Sequence, residues 1–257
     1  MVTGASRGLG RALAIELYDR DFDVVATMRD PADGEGLPRG IEVRRLDVTD
    51  SANIDIPRGL RVLVNNAGAD CENLSVEDTP LEVWRRVFET NVFGLASMTQ
   101  AALPVLREAT DGVIVNVTSA SIVVPMPFFS VYRASKAAVS AFGESLRGEV
   151  ADHGIRVLEV LPGPITTDML AGSSIVPEAV ASEPYRPLAE RVGKVRGAIA
   201  DVQTPPAEAA ATIVRAILDE KAPLRVACDA TGQALLAGWD ATSDEEWLQS
   251  FLDAFNS

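Results

Sequence analysis

The chain has 257 residues, 47% of them hydrophobic and 23% charged, with a formal charge of -14. That balance suits one large α/β domain with a sizeable core, while so acidic a surface repels phosphate backbones and anionic lipid and speaks against nucleic-acid and membrane partners. No apolar run nears the ~20 residues of a spanning helix and MVTGASRGLG lacks a signal peptide's apolar core, so a cytoplasmic protein is expected.

In chain order, Met1-Val2-Thr3 leaves only a stub for an opening strand: either that strand is very short, or the true start lies upstream. A glycine-rich turn follows, then a helix over 8–19 with Leu9, Leu13 and Leu17 on one stripe. Strands are expected at 22–28, 42–48, 61–66, 112–119, 155–161 and 224–230. Several are nearly continuous apolar runs, as in parallel strands buried on both faces. The connections 29–40 and 51–59 are lean and do not require full helices. Thr79-Pro80-Leu81-Glu82 reads as a capping box opening a helical region to about 109. Helices over 131–152 and 205–220 follow. His153, the only histidine, sits near a helix end where a cation favours the carbonyls, and zinc sites and histidine triads lack parts. Cys71 and Cys228 form no CxxC motif and read as reduced, packed thiols, so no metal is expected. Residues 164–203, rich in proline and small side chains, read as a long loop of the lid type. A capped amphipathic helix over 243–256 repeats Trp247, Phe251 and Phe255 every four residues. The alternation gives an α/β fold: a doubly wound parallel sheet (Rossmann fold), one domain over 1–257, with shortened crossovers after the second and third strands.

Two local patterns carry chemistry. Thr3-Gly4-Ala5-Ser6-Arg7-Gly8-Leu9-Gly10 places glycines where a backbone could approach a pyrophosphate at a helix start, although a purely structural turn would look similar. Tyr132 and Lys136 are neighbours four apart on a helix. A lysine charge about 5 Å from a phenolate, at an effective dielectric of about 20, would stabilise it by roughly 3 kcal/mol, or about two pKa units. On a solvated face the same pair would mean nothing.

The glycine turn, Asn65-Asn66-Ala67-Gly68, Asn91, Ser119, Tyr132-x-x-x-Lys136 and Pro162-Gly163 occur in an order that resembles the short-chain dehydrogenase/reductase family, motif by motif over residues 1 to about 170. The resemblance implies an oxidoreductase in which Tyr132 exchanges a proton with a carbonyl or alcohol oxygen. Lys136 would bind the nicotinamide ribose and lower the tyrosine pKa. Ser119, thirteen residues before Tyr132, would steady the reacting oxygen, and Asn91 would hold a relay water. It implies cofactor contacts from Gly4, Ser6, Arg7, Gly8, Leu9, Gly10, Asp47, Val48, Asn65, Ala67, Gly68, Pro162, Gly163, Ile165 and Thr167, and a homodimer or homotetramer.

Cofactor choice is set where the second strand ends. Met28 stands where relatives that prefer NAD carry a carboxylate, and Arg29 follows; Asp30 precedes Pro31 and suits a turn. With Arg7 a second cation within reach, NADP is favoured, with NAD as the alternative. Met126, Phe128 and Phe129 lead into the catalytic helix and are expected to wall the substrate pocket with Ser119 and Tyr132, for an apolar carbonyl or alcohol. A dinucleotide-binding sensor or scaffold without turnover is the rival of a different class.

Overall fold

The computed structural model describes residues 1–109, 111–171, 173–200 and 202–256, with backbone only at 198–200 and 256. Its strands are β1 (Val25–Met28), β2 (Glu42–Arg45), β3 (Val62–Asn65), β4 (Val113–Val117), β5 (Arg156–Leu161) and β6 (Arg225–Ala227). β1 pairs in parallel with β2, and β3 through β6 pair in sequence order, also in parallel. The opening strand is a single residue. Val2 bridges Ala26 on one side and Val64 on the other, joining the two sets of strands. Chain order therefore reverses across Val2, and the crevice at such a switch point is where an open α/β sheet binds ligands.

Helices α1 (Gly8–Tyr18), α2 (Leu81–Phe88), α3 (Leu95–Glu108), α4 (Ser130–Val150), α5 (Asp168–Ala171), α6 (Arg186–Ala200), α7 (Pro206–Leu218), α8 (Ala230–Asp240) and α9 (Asp244–Asn256) complete the fold. Strand side chains alternate between faces. Val62, Val64 and Val115 join Leu9, Leu13 and Leu17 of α1 and Ile213, Val214 and Ile217 of α7 in one core. Leu63, Ile114 and Val157 join Met98 and Leu106 of α3 and Leu146 of α4 in the other. Two buried faces explain the unbroken apolar runs of the sequence. No helix of the described residues is long and apolar enough to cross a membrane.

The lean connections hold only short 3₁₀ turns, Pro31–Gly34 and Ser51–Asn53. Arg11 fixes the first of them, donating to the carbonyls of Asp33 at 3.2 Å and Glu35 at 2.6 Å. Several expectations need correction. Thr79 does not cap α2: its hydroxyl donates to Ser75 O at 2.6 Å, and Pro80 takes the cap position without a side-chain bond. The strand expected over 224–230 ends at Ala227, because the Asp229 carboxylate accepts from Gly232 N and starts α8. Residues 164–203 are not simply a loop, since α6 occupies most of the second half. Its Ala189 and Val192 pack with Phe128, Ala179 and Phe255 in a third, smaller core. The tail helix does carry its cap, with Ser243 and Glu246 bonded reciprocally.

Candidate active site

The glycine turn and the segment after β3 lie against each other at the switch point. Thr3 Oγ1 accepts from Asn66 N and Ala67 N, both at 3.0 Å, and Asn66 Nδ2 donates to Thr3 O at 2.9 Å and Gly4 O at 3.1 Å. A Cβ on Gly4 would stand 2.8 Å from Ala67 Cα, and Gly4 has φ +66°; a Cβ on Gly10 would overlap Gly4 O and Asn66 Nδ2. No side chain caps α1, whose first residue is Gly8, so its leading amides remain open to an anion. Leu9 is buried under the turn, Ser6 is half-buried and Arg7 is exposed, 3.7 Å from Asp168. Gly8 lies against the 165–168 segment, where its Cβ would meet Thr167 Cγ2 at 3.1 Å.

At the end of β1, Met28 is buried and Arg29 exposed. Asp30 spends its carboxylate on the following turn, accepting from Ala32 N at 3.0 Å. Asp47 is exposed and also closes a turn, accepting from Thr49 N at 3.0 Å and Thr49 Oγ1 at 2.8 Å. Those bonds, with smaller help from Arg29 and Arg45, hold it below the usual carboxylate range. Val48 is buried against Gly94. Asn65 differs from expectation. Its side chain points into the core, donating to Thr99 Oγ1 at 3.1 Å and Asn116 Oδ1 at 3.0 Å, so only its main chain is left for a ligand.

Between α2 and α3 the chain makes a π-helical turn, Glu89–Gly94, a distortion often found at functional sites. Asn91 projects from it, buried, with its carboxamide fully engaged. It accepts from Ala69 N at 2.7 Å and donates to Ala69 O at 3.0 Å and Ser135 Oγ at 2.9 Å. The side chain thus clamps the segment after Gly68, and a relay water would fall to its main chain.

Tyr132 and Lys136 sit on the first turns of α4. Lys136 is buried and donates to Val117 O at 2.8 Å, with its Nζ 5.8 Å from the Tyr132 ring centre. Burial lowers its pKa to about 8, against an opposing pull from Asp70. The Tyr132 phenol is pushed above its ordinary range, first by burial and then by the Asp70 charge, while a hydrogen bond with Ser119 opposes both. Desolvation of the phenolate is thus the largest influence on the phenol. Ser119 Oγ also accepts from Ser121 N at 3.1 Å.

Gly163 donates to Asp229 Oδ2 at 2.6 Å, which holds the Pro162-Gly163 turn onto the start of α8. Ile165 buries its side chain in the main core and pairs with Thr204 in an isolated parallel bridge. Phe129 lies under Arg196, while Met126 packs against the small core beside α6 and Phe128 turns into it, edge-on to Tyr185 with ring centres 6.0 Å apart. It supports the lid rather than walling the pocket.

Sequence reasoning missed two charged residues. Asp70 follows the clamped Ala69, and burial raises its pKa against the Cys71 N–H, Arg196 and Lys136. Arg196, on α6, stacks over the Phe129 ring with its guanidinium carbon 4.8 Å from the centre. The signal for Asp70 was its place two residues past Gly68; Arg196 lay in the stretch read as a loop.

A sequence model described as short chain dehydrogenase matches residues 1–175. The oxidoreductase YusZ of Bacillus subtilis is 37% identical over 189 residues, covering 67% of each chain. A short-chain dehydrogenase structure from Streptomyces avermitilis superposes with a TM-score of 0.80 at 37% identity, over 92% of this chain and 89% of that one. A Burkholderia cenocepacia short chain dehydrogenase in complex with NADP gives 0.77 at 27% identity, over 98% and 95%.

Proposed function

The chain belongs to the short-chain dehydrogenase family, a family of oxidoreductases acting on small molecules, and from that premise we propose an NADP(H)-dependent enzyme that interconverts a ketone or aldehyde with an alcohol. The observation that carries this reading is the convergence of Ser119, Tyr132 and Lys136, with the phenol bonded to Ser119 and the ammonium beside its ring. The switch-point crevice, the uncapped start of α1 and the Cβ-free Gly4 and Gly8 fit a dinucleotide. Gly4, Ser6, Arg7, Gly8, Leu9 and Gly10 would hold its phosphates. Asp47 and Val48 would face the adenine, and Asn65, Ala67, Gly68, Pro162, Gly163, Ile165 and Thr167 the remainder. When bound, the reduced nicotinamide supplies a hydride. Lys136 would hold the ribose; Ser119 would hold the substrate oxygen.

Tyr132 moves the proton. A phenol above its ordinary pKa stays protonated at neutral pH, so the hydroxyl can donate to a carbonyl oxygen. In reverse it would accept the alcohol proton. Exposed Ala137 and Ala141 on α4 leave room for a second copy's helix, in keeping with a homodimer or homotetramer.

Two expected outcomes test the cofactor side. Arg29 is exposed at the end of β1 and Asp30 is engaged elsewhere, so a 2′-phosphate would meet a cation and no free carboxylate. The Michaelis constant for NADP should be lower than that for NAD by about 10–100-fold, and Arg29→Asp should reverse the order. A strong NAD preference in the unmodified protein would refute the assignment. Lys136 is charged below its pKa of about 8 and neutral above it. Accordingly kcat/KM for the cofactor, which reports groups of the free enzyme, should be level below pH 8 and fall above it. A limb at the same pH that persists in Lys136→Met would belong to another group.

A further inference from the structure

Asp70 and Arg196 face the same space from different elements. Asn91 fixes Ala69 by both its N–H and its C=O, which sets where Asp70 begins. The strand-side end of that segment touches the catalytic pair: a Cβ on Gly68 would lie 3.5 Å from Lys136 Nζ. Across from it, Arg196 donates to Ser173 Oγ at 2.8 Å and to Ser174 O, and lies on Phe129. The two sides meet at Ser173, whose hydroxyl also stands 3.4 Å from Asn73 Nδ2. Glu178, the other nearby acid, accepts from Asn73 N at 2.8 Å.

Both charges are left incomplete. Asp70 uses Oδ1 on its own neighbour, Cys71 N, at 2.8 Å, and Oδ2 has no donor among the described residues. Arg196 keeps its Nε–H without a partner among them. The two side chains form no ion pair with each other, although each acts on the other's charge. A carboxylate and a guanidinium that come from different elements and do not pair with each other leave room for a group that donates to one and accepts from the other. A hydroxyl does both.

We infer that Asp70 and Arg196 are specificity-determining residues that grip a second hydroxyl of the substrate, adjacent to the reacting carbon, so that the preferred substrate is a hydroxycarbonyl rather than a plain hydrocarbon ketone. The Phe129 ring, on which Arg196 lies, then borders the rest of the molecule. This rests on the carbonyl–alcohol reading above, because it takes Tyr132 as the point where the carbonyl docks.

The matched probes are 1-hydroxy-2-butanone and 2-butanone, which differ by one hydroxyl. With NADPH, kcat/KM should favour the hydroxyketone by at least about tenfold, the scale of a hydrogen bond to a charged group. Asp70→Leu and Arg196→Met should each bring the ratio close to one through KM; the ratio is taken within each variant, so that any change in the Tyr132 proton donor on loss of the Asp70 charge is common to both probes. Asp70→Asn, which retains the Cys71 bond and the side-chain shape, should lose only part of the preference. Equal efficiencies in the unmodified protein, or a preference that survives both substitutions, would overturn the inference. Thermal protection by 1,2-butanediol against 2-butanol, with NADP present, gives a readout that needs no turnover. A diol preference without turnover would support the grip and count only against the oxidoreductase reading; no diol preference would count against the grip.

Discussion

Tyr132→Phe is expected to lower turnover by about 10²–10⁴-fold, the range for loss of a positioned acid–base group, with cofactor affinity nearly unchanged. The substitution removes one oxygen and little else. Ser135 Oγ bonds the main-chain carbonyl of Tyr132 at 2.7 Å, not the phenol, so the helix keeps its local contact. Lys136 remains tied to Val117 O. What disappears is the proton that burial and the Asp70 charge keep on the phenol. A rapid scan of single-turnover NADPH oxidation, alongside an NADPH binding titration, separates the two effects. Full turnover in the variant would remove Tyr132 from the chemistry.

Gly10→Ala should be the most damaging single methyl group in the chain. Its Cβ would overlap Gly4 O and Asn66 Nδ2, the two groups that join the glycine turn to the segment after β3. Gly4 O cannot yield without moving the backbone, Asn66 Nδ2 can yield only by giving up its bonds to Thr3 O and Gly4 O, and overpacking of that kind costs about 1–3 kcal/mol. The displaced turn should also weaken NADPH binding by at least about tenfold, because the amides of α1 would shift with it. Gly148→Ala is the contrast. It lies inside α4 with nothing within 4 Å of an added Cβ, and a gain of about 0.5–1 kcal/mol is expected. Urea midpoints for the two variants give the comparison; a stability loss at Gly148 as large as that at Gly10 would contradict the described geometry.

Strands β1, β3, β4 and β5 were legible because each is buried on both faces, which writes an apolar run into the sequence. The pairing of Tyr132 with Lys136 was legible for a similar reason, since helical spacing is local information. Asn65 and Asn66 show where legibility ends. Adjacent residues at a strand end face opposite ways, so one enters the core beside Thr99 and the other the glycine turn. Nothing in the tetrad says which. Helix α6 was hidden by Pro187, Gly193 and Gly197, although Leu188, Val192 and Val195 keep a helical spacing. The raised phenol pKa was out of reach for a physical reason: spacing places a cation nearby but does not reveal burial, and burial is the largest influence. Asp70 stands two residues past Gly68, but where its side chain begins depends on the clamp by Asn91, far along the chain, which that local pattern does not reveal.

The most direct test is absorbance at the reduced-nicotinamide band after mixing the protein with NADPH and a panel of aldehydes and ketones, hydroxylated and plain. Consumption that depends on the added carbonyl, and that is lost in Tyr132→Phe, is the predicted result. Tight NADPH binding with no consumption across the whole panel would contradict it and mark the chain as a dinucleotide-binding protein without this chemistry.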